Sequence, residues 1–168
     1  MSQDKGMDKL WAPWRVKYIT QIGKTKGCIF CEILKAKKDA RDFVFIRTKL
    51  SYAVLNLYPY NNGHSLILPH RHVDDISKLS RPERDDLLDL LETTKSLLEK
   101  VIKPNGFNIG INLGRAAGAG FPGHLHVHIV PRWMGDANFM PAVASTKVIS
   151  QSLKILYKKL SDAYKKRH

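Results

Sequence analysis

The chain has 168 residues, 43% hydrophobic and 26% charged, enough for one well-buried core and short for two domains. It contains no run of about 18 apolar residues to span a bilayer, and its N-terminus MSQDKGMDKLWAPW lacks the apolar centre of a secretory signal, so the expected compartment is the cytoplasm. Its 28 basic and 15 acidic residues give a net charge of +13, which favours anionic partners, although much of the excess sits in KAKK (35–38) and the tail KKLSDAYKKRH, where lysines commonly form a solvated face.

In chain order, residues 1–26 form an N-terminal arm, 27–145 the globular domain and 146–168 a basic C-terminal helix. RDFVFIR and SYAVLNL are β-branched and aromatic, and the polar turn around Thr48 and Lys49 joins them into a hairpin. YPYNNGH carries the Pro, Asn and Gly of a turn, and HSLILP behind it is a third strand ending at Pro69. In SRPE, Ser80 caps a helix and Glu83 completes a capping box. Leu87, Leu90, Leu91, Leu97, Leu98 and Val101 line one face of that long helix.

Pro104, Asn105 and Gly106 end the helix, and FNIGINLG alternates Phe107, Ile109, Ile111 and Leu113 against Asn108, Gly110 and Asn112, the pattern of a half-buried strand. The loop GRAAGAGFPG then leads to GHLHVHIVPRW, which holds three of the seven histidines. Past it, Ile149, Leu153, Leu156, Leu160 and Tyr164 mark the C-terminal helix, whose apolar stripe is suited to a partner subunit.

Side chains alternate across a strand, so His124, His126 and His128 project from one face while Leu125, Val127 and Ile129 enter the core. Near pH 7 an ordinary histidine is mostly neutral, and its free ring nitrogen can attack phosphorus or bind a metal. Attack on phosphorus gives a nucleotidyl-histidine, splitting one difficult displacement into two easier ones. A metal-only cluster or solvent-facing histidines on an edge strand are the competing readings. Gly114, Gly118 and Gly120, with Ala119, let phosphates approach backbone N–H groups closely.

HLHVHIV matches the alternating signature of the histidine triad superfamily, and the resemblance extends to VLNLYPYNNGHSLILPHRHV, GFNIGINLGRAAGAG, PRWMGDANFM and LWAPWRVKYI, which are similar to the fragile histidine triad and diadenosine tetraphosphate phosphorylase branch. The resemblance implies an α+β domain with a five-stranded antiparallel sheet, one long helix and a C-terminal helix, commonly a homodimer, that cleaves dinucleoside polyphosphates at the α-phosphate. By motif position it makes His126 the nucleophile and His128 a contact to phosphate oxygens, with His64 lining the same site. Asn56 and Asn112 fall among the nucleotide-binding positions, together with Gly118, Ala119 and Gly120. Relatives carry a glutamine or serine in the glycine loop near Gly120, and this chain has neither, which leaves water and inorganic phosphate both open as acceptor.

Cys28 and Cys31 have the spacing that lets two thiolates grip one zinc ion, or they are simply two buried thiols. Several histidine triad proteins complete such a site with a histidine after the third strand and the first triad histidine, positions that correspond to His72 and His124. That zinc would be structural, and no organic cofactor is implied. His70 is expected to face solvent. Arg132 is suited to distal phosphates and Trp133 to stacking on a base, or both to packing. Trp11 and Trp14 are read as structural. Two other functions compete: a nucleoside phosphoramidate hydrolase, and a catalytically silent nucleotide- or RNA-binding module using the basic surface, which would bind RNA with steep salt dependence.

Overall fold

The computed structural model describes residues 27–136 and 151–166. The arm with Trp11 and Trp14, the segment 137–150 with Ile149, and His168 lie outside the described residues. Five strands, β1 (Val44–Arg47), β2 (Ser51–Leu55), β3 (Ser65–Pro69), β4 (Gly106–Ile111) and β5 (Val127–Arg132), form one antiparallel sheet in the order β1-β2-β3-β5-β4. Helices α1 (Ile29–Ala36), α2 (Asp39–Asp42), α3 (Arg81–Ile102) and α4 (Leu153–Lys165) complete an α+β domain.

The long helix starts where the sequence places it. The Ser80 side chain accepts from the Glu83 N–H while the Glu83 carboxylate accepts from the Ser80 N–H, and Pro82 sits in the first turn. Leu87, Leu90, Leu97 and Leu98 of α3 are buried with Phe45, Ile67, Val127 and Ile129 of the sheet. The opposite face of the sheet buries Val44, Tyr52, Val54, Leu66 and Leu68 beneath Phe30 of α1. Strand alternation thus divides the molecule into an α3 face that holds most of the core and an α1 face that holds the polar chemistry.

The structure corrects three expectations. Leu156 and Leu160 of α4 are fully buried in the same core as α3, so this apolar stripe is covered by its own chain rather than by a partner. The histidine run is only partly strand: the β3–β5 ladder spans Ser65–Ile67 against Val127–Ile129, and the Leu125 N–H turns instead to the Val73 carbonyl at 2.5 Å. Leu125, Val127 and Ile129 nevertheless enter the core, because the extended backbone keeps its alternation outside the ladder. In β4, Phe107 and Ile111 pack on the core, but Ile109 is 47% exposed and Leu113 lies beyond the strand, because β4 ends the sheet order.

Gly63 sets the turn ahead of β3. Its φ of +77° lies in the left-handed region, and an added Cβ would sit 2.6 Å from Ile102 Cδ1 and 3.1 Å from Pro131 Cγ. Close approach of α3 and β5 to this turn fixes where His64, the next residue, enters the sheet.

Candidate active site

Four imidazoles, from His64, His124, His126 and His128, gather on the α1 face, and fixed backbone partners assign their tautomers. The His124 carbonyl accepts from His126 Nδ1 at 2.8 Å, so the neutral ring carries its proton there and Nε2 keeps a lone pair. His126 is 6% exposed, and burial lowers its pKa against the opposing pull of the His124 carbonyl, which keeps the ring neutral at pH 7.

The Tyr60 backbone N–H donates to His64 Nδ1 at 3.0 Å, which places the His64 proton on Nε2. His64 Nε2 donates to His128 Nδ1 at 2.9 Å, and this in turn leaves a proton on His128 Nε2. Asn56 supports the chain: its Nδ2 lies 3.3 Å from His64 Nδ1, and its Oδ1 accepts from the Tyr58 N–H at 2.9 Å. A lone pair on His126 and an N–H on His128 therefore stand side by side, their ring centroids 4.9 Å apart.

A cavity of about 30 Å³ adjoins these rings, lined by Phe30, Asn56, Tyr58, Tyr60, Leu66, Gly118, Gly120, His126 and His128. No lysine or arginine lines it among the described residues. Gly118 and Gly120 reach it because the loop folds tightly: Gly114 and Gly118 have φ of +77° and +85°, and the Gly118 and Ala119 N–H groups donate to the Arg115 and Gly114 carbonyls. Ala119 is buried behind them. Asn112 directly follows β4, whose last pair is Ile111 with Val127, and it is not among the residues that line the cavity. A second, largely apolar cleft of about 250 Å³ shares Phe30, Asn56, Tyr58 and Leu66 with the cavity and continues to Ile29, Ile33, Leu57 and Phe121.

Arg132 and Trp133 are held elsewhere. Arg132 makes two 2.7 Å bonds to Asp136 and one of 2.6 Å to Asn108, and Trp133 Nε1 donates to the Lys103 carbonyl at 3.1 Å. Asp136 also accepts from Asn61 Nδ2 at 2.7 Å, tying the turn before β3 to the end of β5, and the Arg132 guanidinium holds its carboxyl well below the usual range. Their polar groups are spent on this turn, and neither residue lines the cavity. His70 is half-buried against Tyr52, with ring centroids 6.1 Å apart, rather than facing solvent. Phe30, Tyr58, Tyr60 and Leu66 escaped the motif reading. The aromatic pair in YPYNNGH, read only as turn material, was the available signal.

Cys28, Cys31, His72 and His124 place one ligand atom each within 4.8 Å of one another. His72 Nδ1 and His124 Nδ1 are 3.3 Å apart, Cys28 Sγ lies 3.3 Å from His124 Nδ1, and Cys31 Sγ lies 3.4 Å from His72 Nδ1 and 3.6 Å from His124 Nδ1. A zinc tetrahedron with ordinary bond lengths has edges of about 3.3 Å for N···N and about 3.6 Å for S···N. Helix α1 begins directly after Cys28, which brings Cys28 and Cys31 to one helix end. His124 Nε2 donates to the Pro69 carbonyl at 3.0 Å and so turns a bare Nδ1 toward the cluster. Burial pushes the Cys31 thiol up to about 11, with Cys28 adding to the shift, and burial pushes His124 down to about 4. A Cys31 thiol that resists ionisation beside Cys28 and a His124 imidazole that resists protonation fit a bound dication, which relieves both.

Comparison with known proteins settles the family. The HIT domain family model matches residues 37–134. The chain belongs to the HIT domain family. It is 38% identical over 162 residues to AP-4-A phosphorylase of Mycobacterium tuberculosis, covering 92% of this chain and 83% of that one. It is 43% identical over 93 residues to bis(5'-nucleosyl)-tetraphosphatase (asymmetrical) of Schizosaccharomyces pombe, covering 55% of this chain and 50% of that one. A zinc-bound histidine triad family protein of Mycobacterium smegmatis shares the fold, with a TM-score of 0.68 and 22% identity over 84% of this chain and 95% of that one. The HIT match begins at residue 37, so Cys28 and Cys31 reach the histidines of the HIT domain from outside the matched segment.

Proposed function

We propose that this HIT protein cleaves dinucleoside polyphosphates, diadenosine tri- or tetraphosphate in particular, at the α-phosphate through a nucleotidyl-His126 intermediate. What carries the reading is the pinned His126 ring: Nδ1–H is held by the His124 carbonyl, and Nε2 keeps its lone pair in a ring that lines the cavity. The apolar cleft that continues from the cavity takes the nucleoside, and Asn56 stands at the junction.

The Nε2 lone pair attacks phosphorus and the bond to the departing polyphosphate oxygen breaks. His128 Nε2–H, oriented through His64, donates to the oxygens that gain charge. The backbone N–H of Gly120, whose residue lines the cavity, contributes to the same oxygens. In the second half-reaction an acceptor oxygen attacks phosphorus, the P–N bond breaks and its electron pair returns to Nε2. Inorganic phosphate is the favoured acceptor, because the relative matched along most of both chains is named a phosphorylase.

Cys28, Cys31, His72 and His124 would hold a zinc ion of structural role, tying α1 and the β3 end to the segment that bears His126. Dimerisation across β4, with Ile109 and Leu113 exposed, belongs to the same proposal. So does weak nucleic-acid binding through the basic surface.

The test is to mix the protein with diadenosine tetraphosphate in phosphate-free and phosphate-containing buffer and identify the products. Phosphorolysis yields ADP and ATP, hydrolysis AMP and ATP. Release of nucleotides in neither buffer contradicts the proposal.

A further inference from the structure

Helix α1 serves both the cysteine cluster and the apolar cleft. Cys28 and Cys31 bring their thiols to the cluster with His72 and His124. Ile29 and Ile33, four apart and so on one helical face, line the cleft together with Phe30, and the rest of its lining includes Val54 of β2 and Leu66 of β3. Phe30 joins the two regions: its ring centroid is 5.5 Å from those of both His124 and His126, and it lines the catalytic cavity as well as the cleft.

A helix of 8 residues is too short to hold itself in water, and Cys28 at its N-cap makes no side-chain cap hydrogen bond. Neighbours hold it instead. Tyr52 donates its hydroxyl to the Phe30 carbonyl at 2.9 Å, and Arg47 Nη2 donates to the Ile33 carbonyl at 3.3 Å. The first turn, where Cys28 and Cys31 sit, is joined through the cluster to His72 beyond β3 and His124 before β5. One wall of the cleft and half of the metal ligands are therefore the same short helix. We propose that metal binding at Cys28, Cys31, His72 and His124 sets nucleoside affinity by holding α1 against the cleft, so that metal and nucleotide bind cooperatively. The inference rests on the nucleotide and zinc readings above. By linkage, a metal that tightens nucleotide binding by some factor is itself bound more tightly by the same factor when the nucleotide is present.

The full-length protein is stripped of metal with a chelator and kept below its melting temperature, and AMP, which has no polyphosphate to lose, is the probe. Calorimetry reads the AMP Kd with and without zinc, a chelating dye reads the zinc Kd with and without AMP, and hydrogen exchange follows α1 and α3. The expected result is AMP bound about tenfold more tightly with zinc, and zinc bound more tightly by the same factor with AMP. Metal removal should speed exchange in α1 and leave α3 protected. Cys31→Ser should bind AMP as the stripped protein does, whether or not zinc is added. An AMP Kd that is the same with and without zinc overturns the inference. Loss of protection in α3 alongside α1 also overturns it, since the metal would then hold the whole fold rather than the cleft wall. Zinc-loaded protein that binds no AMP contradicts the nucleotide reading, and protein that takes up no zinc contradicts the metal reading, so each is told apart from a failure of the coupling.

Discussion

A histidine's chemistry here follows from the backbone group it touches. The His124 carbonyl leaves His126 with a bare Nε2, whereas the Tyr60 N–H, acting through His64, leaves His128 with a proton on Nε2. His64 is thus a positioning residue for His128. His64→Phe, which keeps a flat ring but removes the relay, should lower kcat about tenfold to hundredfold in steady-state kinetics, with nucleotide affinity little changed. Gly63 is constrained sterically. Gly63→Ala should cost about 2–3 kcal/mol in urea unfolding, from left-handed backbone strain plus the approach to Ile102 and Pro131. These two residues show what the motif reading captured and what it did not. The three triad histidines and His64 were legible from periodicity and resemblance, but the tautomer chain depends on backbone donors that no sequence pattern displays.

At the level of elements, local chemistry was read most fully where it is encoded within a few residues. The capping box of α3 is one case: Ser80 and Glu83 are three apart, and the structure adds Arg71, whose guanidinium bonds Glu83 at 2.8 Å. Arg71, followed by the Ser80 backbone N–H, lowers the Glu83 pKa from 4.5 to about 2. A depressed carboxylate contributes stability that is fully present above its unfolded pKa and is lost as pH falls through the folded one. Wild type should therefore lose this contribution between pH ~4.5 and ~2, while Glu83→Gln should be less stable at pH 7 and show a shallower acid dependence in thermal melts. The C-terminal helix was harder to read. Its stripe was plain in the sequence, but whether a partner or its own chain covers Leu156 and Leu160 depends on α3 and β1 lying within reach, a tertiary fact. Arg132 was half legible: its ion-pair partner Asp136 is four residues on in the sequence, but its hydrogen bond to Asn108 exists only after β4 and β5 align.

Across the whole molecule, two sites share one short segment. His124 gives its ring to the cysteine cluster and its carbonyl to His126, so the candidate metal site and the proposed nucleophile are coupled through a single residue. The protein as purified should hold about one zinc per chain, and chelation should lower its melting temperature. Cys31→Ser should reduce the zinc content, and restored zinc should raise the melting temperature of chelated wild type but not of the variant. The five-stranded antiparallel sheet and the α+β class were both implied by the family resemblance, and the structure shows them and adds the strand order. The cavity's aromatic wall was not foreseen, because Tyr58 and Tyr60 sit in a segment whose Pro, Asn and Gly announce only a turn. The central claim is that the nucleotide passes through His126. Brief incubation with diadenosine tetraphosphate in phosphate-free buffer, followed by intact-mass analysis at neutral pH and peptide mapping, tests it most directly. An adenylyl group on His126 that disappears as ADP when phosphate is added is the predicted result. Full turnover with no adenylylated protein, or turnover surviving His126→Ala, would contradict it.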